Sequence, residues 1–170
     1  MEQTRILVVD DELVIRESLA GWLERDGYQV DKVGSGEDAL ALLETRNFHV
    51  ILLDIQMDGM SGMEVLEHVT ENYPDTDVIM ITAFGSIPSA VQAMKCQAFD
   101  YLLKPFDPDE LGVLIQRAVD HQARKKENLF LKQEVEERTR FESMIGQSGP
   151  MQEIFSLIED IQDTDTTVLI

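Results

Sequence analysis

Two rhythms of apolar residues alternate from the start of this chain to about residue 107. Residues 5–10 (RILVVD) form a short run rich in β-branched residues and end in a carboxylate, with a second acid, Asp11, next in line. Over 12–25, Val14, Ile15, Leu19, Trp22 and Leu23 recur at helical spacing, and Gly27 supplies a stop. Residues 28–33 predict a second strand, and 35–46 a helix with Ala39, Leu40, Leu42 and Leu43 on its apolar side. Residues 50–53 predict a third, buried strand ending at Asp54. After a Gly-containing loop, the pattern predicts a helix over 63–73 and a strand over 78–81 ending at Thr82. A shorter helix over 89–96 and a fifth strand over 99–103, ending at Lys104-Pro105, complete the series.

Strand and helix thus alternate five times, and several strands are near-continuous apolar runs. Such runs are expected when helices cover both faces of a sheet. A helix between successive strands also lets them run parallel in right-handed units. The predicted fold class is α/β, a doubly wound five-stranded parallel sheet.

From Pro108 onward the rhythm changes. Leu111, Leu114, Ile115, Ala118 and Val119 make a helix able to pack on the sheet, and no Gly or Pro follows Gly112 until after Arg140. Residues 124–128 are polar all round, and an apolar edge resumes at Leu129–Leu131 and Val135. This predicts a long helical extension with weak coiled-coil character, suited to signalling or dimerisation. Gly146 and Gly149-Pro150 then punctuate the chain before a short helix (151–161) and a strand start (166–170). About thirty residues cannot build a core alone. The organisation expected is therefore a domain over 1–122, a helical linker over 123–142 and the opening of a second domain over 143–170.

Charge sharpens this division. The net charge of −19 is spread as −15 over residues 1–116, +2 over 117–140 and −6 over 141–170. So acidic a chain disfavours direct contact with nucleic acid, whose phosphates need cations. No basic segment leads into an apolar run at the N-terminus, and nothing approaches the ~20 apolar residues of a membrane span. A cytoplasmic location and no membrane partner are expected. The single Cys96 reads as a small apolar residue, and Met57, Met60 and Met63 as gap-fillers. His49, His68 and His121 lack metal-ligand spacing and read as surface or packing residues.

The chemistry concentrates where strands end. In an open parallel sheet, ligands sit beyond the carboxyl ends of the strands. Those positions hold Asp10 and Asp11, Asp54, Thr82 and Lys104. Two carboxylates about 4 Å apart repel by roughly 4 kcal/mol at an effective dielectric near 20. Such a cluster calls for a cation, and hard oxygen ligands suit Mg²⁺. A carboxylate can act as a nucleophile and form an acyl phosphate. The Lys104 ammonium and Thr82 hydroxyl would hold phosphoryl oxygens, and small Ala83 would leave its backbone N–H accessible to them.

Four segments, VVDDE at 8–12, LLDIQMDGMSG at 52–62, ITAFG at 81–85 and YLLKPF at 101–106, resemble the signatures of response-regulator receiver domains. The resemblance covers about residues 3–122 and implies the flavodoxin-like receiver fold. It implies that Asp54 is phosphorylated by a sensor histidine kinase. It also implies that Asp11 binds Mg²⁺ directly, Asp10 mostly through water, and the Gln56 backbone carbonyl completes the protein ligands alongside Asp54. Lys104 and the backbone at Gln56 and Ala83 would meet the phosphoryl group, Thr82 and Tyr101 would be the switch pair, and Lys104-Pro105 would be cis. One position departs from the pattern: Asp58 follows Met57 where the family usually has Pro. That implies a less preorganised loop and one more negative charge beside the metal. Gln56 and Phe84, two residues beyond Asp54 and Thr82, are candidates to shield an acyl phosphate from water.

Residues 144–170 resemble the opening of the AAA+ domain in sigma-54-dependent activators related to nitrogen regulatory protein C. No G-x-x-x-x-G-K nucleotide loop occurs in the 170 residues, so ATP hydrolysis by this chain is not expected. The function expected is a phosphoacceptor switch that controls a downstream AAA+ domain through homodimerisation. Sigma-54 RNA polymerase and DNA would be reached only through further domains. The rivals are a Mg²⁺-dependent aspartyl-phosphate phosphatase and a receiver-like interaction module that works without phosphorylation. The first usually carries D-x-D on its first strand, which here ends Asp10-Asp11-Glu12.

Overall fold

A computed structural model describes residues 3–83 and 87–139. Its elements follow in the order β1 (Arg5–Val9), α1 (Leu13–Arg25), β2 (Gln29–Val33), α2 (Gly36–Leu43), β3 (Val50–Asp54), α3 (Gly62–Asn72), β4 (Asp77–Thr82), α4 (Ile87–Lys95), β5 (Asp100–Leu103) and α5 (Pro108–Thr139). The five strands pair in parallel in the order β2-β1-β3-β4-β5. This is the flavodoxin-like doubly wound order, whose switch point lies between β1 and β3.

Parity along the strands assigns the two core layers, because successive side chains point to opposite faces. Leu7, Val9, Ile51, Leu53 and Met80 pack with Ala39 and Leu43 of α2, Val65, Leu66 and Val69 of α3, and Ala93 of α4. Ile6, Val8, Leu52, Ile79 and Ile81 pack with Leu19 and Leu23 of α1 and Leu111, Ile115 and Ala118 of α5. Each fully buried Leu or Ile side chain contributes roughly 1.5–3 kcal/mol through lost apolar exposure. Met57, Met60, Met63 and half-buried Cys96 lie against the first layer, as gap-filling requires. Trp22 lies against the second, and a methyl group at Gly112 would stand 3.3 Å from its ring.

Local signals set the element ends. Gly27 closes α1 at φ +91°, a conformation that glycine adopts without steric cost. Ser35 caps α2 by accepting from the Asp38 N–H. Ser61 and Glu64 form a reciprocal capping box at the start of α3. Two helices differ from the periodicity. α2 stops at Leu43 instead of running to residue 46: the Thr45 N–H and hydroxyl both turn back to the Leu42 carbonyl, tightening the last turn. α4 starts two residues earlier than the spacing predicts, at Ile87.

The first compact unit ends at Lys125, inside α5, and the described part of the second is the helical segment 126–139. Phe84, the predicted helix over 151–161, the strand start over 166–170 and the proposed AAA+ opening over 143–170 lie outside the described residues.

Candidate functional site

Asp10, Asp54, Thr82 and Lys104 stand where β1, β3, β4 and β5 end, so the parallel register brings them to one edge of the sheet. Asp10 is 2% exposed, Asp54 5% and Thr82 fully buried. The Lys104 ammonium lies between the first two, donating to Asp10 Oδ2 at 2.7 Å and Asp54 Oδ2 at 2.6 Å. It also stands 3.8 Å from Glu12 Oε1. The Lys104-Pro105 peptide is cis.

Backbone groups aim the two buried carboxylates. Asp10 Oδ1 accepts from the Glu12 N–H at 2.9 Å, and Asp54 Oδ1 accepts from the Gln56 N–H at 3.1 Å. Each acid therefore spends one oxygen on its own loop and offers the other to Lys104. Burial, the largest influence on Asp10, pushes its pKa above the ordinary carboxylate value, against the hydrogen bond and charge of Lys104. Burial also acts to lower Lys104, but the hydrogen bonds and charges of Asp10 and Asp54 outweigh it and hold the ammonium above its ordinary pKa.

Asp10, Glu12 and Asp54 each present an oxygen within 4.8 Å of the others, a hard-donor set suited to a divalent cation. Asp11, the expected direct ligand, is exposed and is not a member of that triad. Glu12, which sequence reasoning did not single out, takes the third place. It occupies the N-cap position of α1 without capping the helix with its side chain, so its carboxylate is released toward Lys104. The visible signal was a third consecutive acid in the segment Asp10-Asp11-Glu12.

The loop after Asp54 is held despite Asp58. Glu37 accepts from the Met60 N–H at 3.1 Å, and the Gly62 N–H donates to the Ile55 carbonyl at 3.0 Å. A Cβ at Gly62 would fall 1.9 Å from the Asp54 carbonyl oxygen, so only glycine admits this return of the chain. Asp58 itself is exposed, as are Gln56 and Ala83. Tyr101 is half-buried against the layer containing Met57 and Met80.

A family model described as the response regulator receiver domain matches residues 6–116. The chain belongs to this family. The transcriptional regulator NtrC of Salmonella typhimurium is 34% identical over 170 residues, covering 100% of this chain and 35% of that protein. The crystal structure of NtrX from Brucella abortus in complex with ADP matches with a TM-score of 0.73 at 30% identity, over 97% of this chain and 35% of that one. The response regulator TrrA from Thermotoga maritima, solved in complex with Mg²⁺–BeF, matches with a TM-score of 0.63 at 36% identity, over 68% and 99%. The chain spans about a third of the length of the curated relatives it matches. As a member of this family it is a regulatory receiver domain of the two-component type, and it carries an acidic cluster of the kind at which receiver domains bind Mg²⁺. No helix among the described residues is long and apolar enough to cross a membrane.

Proposed function

We propose that Asp54 is the phosphoacceptor and that a sensor histidine kinase is the donor. The observation that carries this reading is Lys104 bridging Asp54 and Asp10 at 2.6 and 2.7 Å, at the end of the sheet where ligands of such folds bind. An Asp54 oxygen attacks phosphorus, the P–N bond to the donor imidazole breaks, and the new P–O bond makes an acyl phosphate. Lys104, already on Asp54, accompanies the charge through the transfer. The Thr82 hydroxyl and the Ala83 N–H are the proposed partners of the phosphoryl oxygens, and Thr82 with Tyr101 the switch.

Asp10, Asp11, Asp54 and the Gln56 carbonyl would hold Mg²⁺, with Glu12 as the alternative to Asp11. The donor set fits this ion, and TrrA, the relative solved with Mg²⁺, supports the assignment. When bound, Mg²⁺ supplies positive charge that offsets the phosphoryl oxygens. Comparing Asp11→Asn with Glu12→Gln in a Mg²⁺ titration decides between these two carboxylates: the larger loss of affinity marks the ligand.

The readout proposed is a change in homodimer packing through α4, β5 and α5 or through the helical extension, which governs an AAA+ domain in the parent protein. Matches to NtrC and NtrX that cover this chain but only a third of each relative support this arrangement. Contact with sigma-54 RNA polymerase and DNA would belong to segments outside these residues.

Intact mass after incubation with Mg²⁺ and acetyl phosphate tests the central claim. A Mg²⁺-dependent gain of one phosphoryl group, absent in Asp54→Asn, is the expected result. Equal labelling of the variant would remove Asp54 from the role.

A further inference from the structure

The acidic loop that carries Asp10 and Glu12 has no side-chain cap and no disulfide or glycine lock, yet its carboxylates must hold a close geometry. The Glu12 side chain leaves the N-cap site unfilled, and the one side-chain bond inside the loop is Asp10 Oδ1 accepting from Glu12 N–H. The backbone is fixed from outside. The Asp10 N–H donates to the Val33 carbonyl at 3.3 Å, at the end of β2. On its other side, the Asp10 carbonyl accepts from Arg16 Nη1 at 2.5 Å, one turn into α1.

The Arg16 guanidinium has a seat. Gly34 follows Val33, and a Cβ built there would stand 3.0 Å from Nη1, 3.4 Å from Cζ and 3.6 Å from Nη2 of Arg16. The planar group therefore lies flat against a stretch of bare backbone while one nitrogen reaches the end of β1. Gly34 has no positive φ to require glycine, so conformational freedom does not explain the residue; the space occupied by Arg16 does. Lysine would not fit this role, because its ammonium has neither the planar face nor the fork of donors.

Resting on the phosphoacceptor reading above, we infer that Arg16, seated on Gly34, is a positioning residue that holds the Asp10–Glu12 loop in register for cation binding and phosphoryl transfer. Arg16 touches neither reacting group. It acts through the Asp10 carbonyl, as outer-shell partners orient metal ligands elsewhere, where their loss weakens metal binding about 10- to 100-fold. Gly34 acts only through Arg16. A methyl group at 34 must push the guanidinium off its seat by a few tenths of an ångström, so the two positions are coupled.

The test measures Mg²⁺ affinity by calorimetry, the rate of labelling by acetyl phosphate, and thermal stability, for wild type, Arg16→Ala, Arg16→Lys, Gly34→Ala and the double variant Arg16→Ala/Gly34→Ala. Arg16→Ala is expected to weaken Mg²⁺ binding by at least about 10-fold and to slow labelling at fixed Mg²⁺, with saturating Mg²⁺ restoring most of the rate. Arg16→Lys should fail to rescue it. Gly34→Ala should shift affinity in the same direction by less, and the double variant should match Arg16→Ala alone. Should Arg16→Ala not fold, Gly34→Ala and Arg16→Lys carry the same comparison. Wild-type Mg²⁺ affinity in folded Arg16 variants would overturn the proposal, as would additive effects in the double variant. A wild type that neither binds Mg²⁺ nor takes a phosphoryl group would instead overturn the functional reading on which it rests.

Discussion

The two ends of the sheet both carry ionic networks, and they are built on opposite principles. At the carboxyl ends of the strands one buried ammonium, Lys104, faces Asp10, Asp54 and Glu12. At the amino ends, three basic residues spaced four apart along α5 each meet one acid: Arg117 with Asp100 at 3.1 Å, His121 with Asp77 at 2.8 Å, and Lys125 with Asp75 at 3.3 Å. The first network is buried at Asp10, Asp54 and Lys104, exposed at Glu12, and short of positive charge. The second gives each acid one partner of its own and is mostly exposed. A largely buried cluster of three carboxylates around one ammonium has capacity left for a cation, whereas a ladder of separate pairs holds a helix to a sheet. On the proposed function, the site is marked by carboxylate charge that one ammonium leaves uncompensated, not by the number of ion pairs.

The largest break in that contrast should come from Lys104→Met. It leaves two buried carboxylates facing each other without a cation, a change that costs roughly 3 kcal/mol when one partner of a buried pair is removed. Urea unfolding in chelator should register the loss. Mg²⁺ should then restore more stability to the variant than it adds to wild type, since no ammonium competes for the same oxygens. Equal stability of the two proteins in chelator would mean that the carboxylates carry no strain for Lys104 to relieve.

Asp10→Asn sharpens the comparison through pH. Burial raises the Asp10 pKa in the fold above 3.8, so the folded protein holds this proton more tightly than the unfolded chain does. Ionised Asp10 therefore costs stability at neutral pH, and the cost fades as pH falls through the raised folded value toward 3.8. In chelator, the substituted protein should be the more stable at pH 7, and its advantage should shrink across that window. Lys104 gives the opposite edge: its raised pKa contributes stability that is present below 10.5 and lost as pH rises through its folded value. A pH-independent difference between wild type and Asp10→Asn would remove burial as the cause.

How much of this was legible in the sequence follows from the range of each interaction. The strands and their order of use could be read because apolar runs end in Asp10, Asp54, Thr82 and Lys104, and a parallel sheet brings such ends together. The approach of Glu12 to Lys104 could not, since it depends on where α1 begins and which way its first side chains leave the backbone. Gly62 was visible only as a loop glycine; its approach to the Asp54 carbonyl is a tertiary fact. His121 was read as a packing or surface residue, and its ring does lie 5.4 Å from that of Phe99. Its acid partner is 44 residues away, beyond any local pattern. The end of α2 is set by a local tightening, in which the Thr45 N–H and hydroxyl both return to the Leu42 carbonyl, that apolar spacing does not encode.

The smallest effects should come from the ladder, and they grade by burial. His121→Ala leaves the Asp77 carboxylate buried at the start of β4 without its 2.8 Å partner, which costs about 1–2 kcal/mol for an unsatisfied buried acceptor. Arg117→Ala breaks an exposed pair that also lies 6.0 Å over the Phe99 ring, and should cost no more than about 0.5–1 kcal/mol. Denaturant melts of both variants measure the grading. Neither substitution should alter the extent of phosphoryl labelling or Mg²⁺ affinity, because both lie at the opposite end of the strands from Asp54. If His121→Ala changed the lifetime of the phosphoryl group, the two ends of the sheet would be coupled through β4, which runs from Asp77 to Thr82. The ladder would then be part of the switch instead of its mounting, since the same six-residue strand would carry the signal from the acceptor's neighbour to α5.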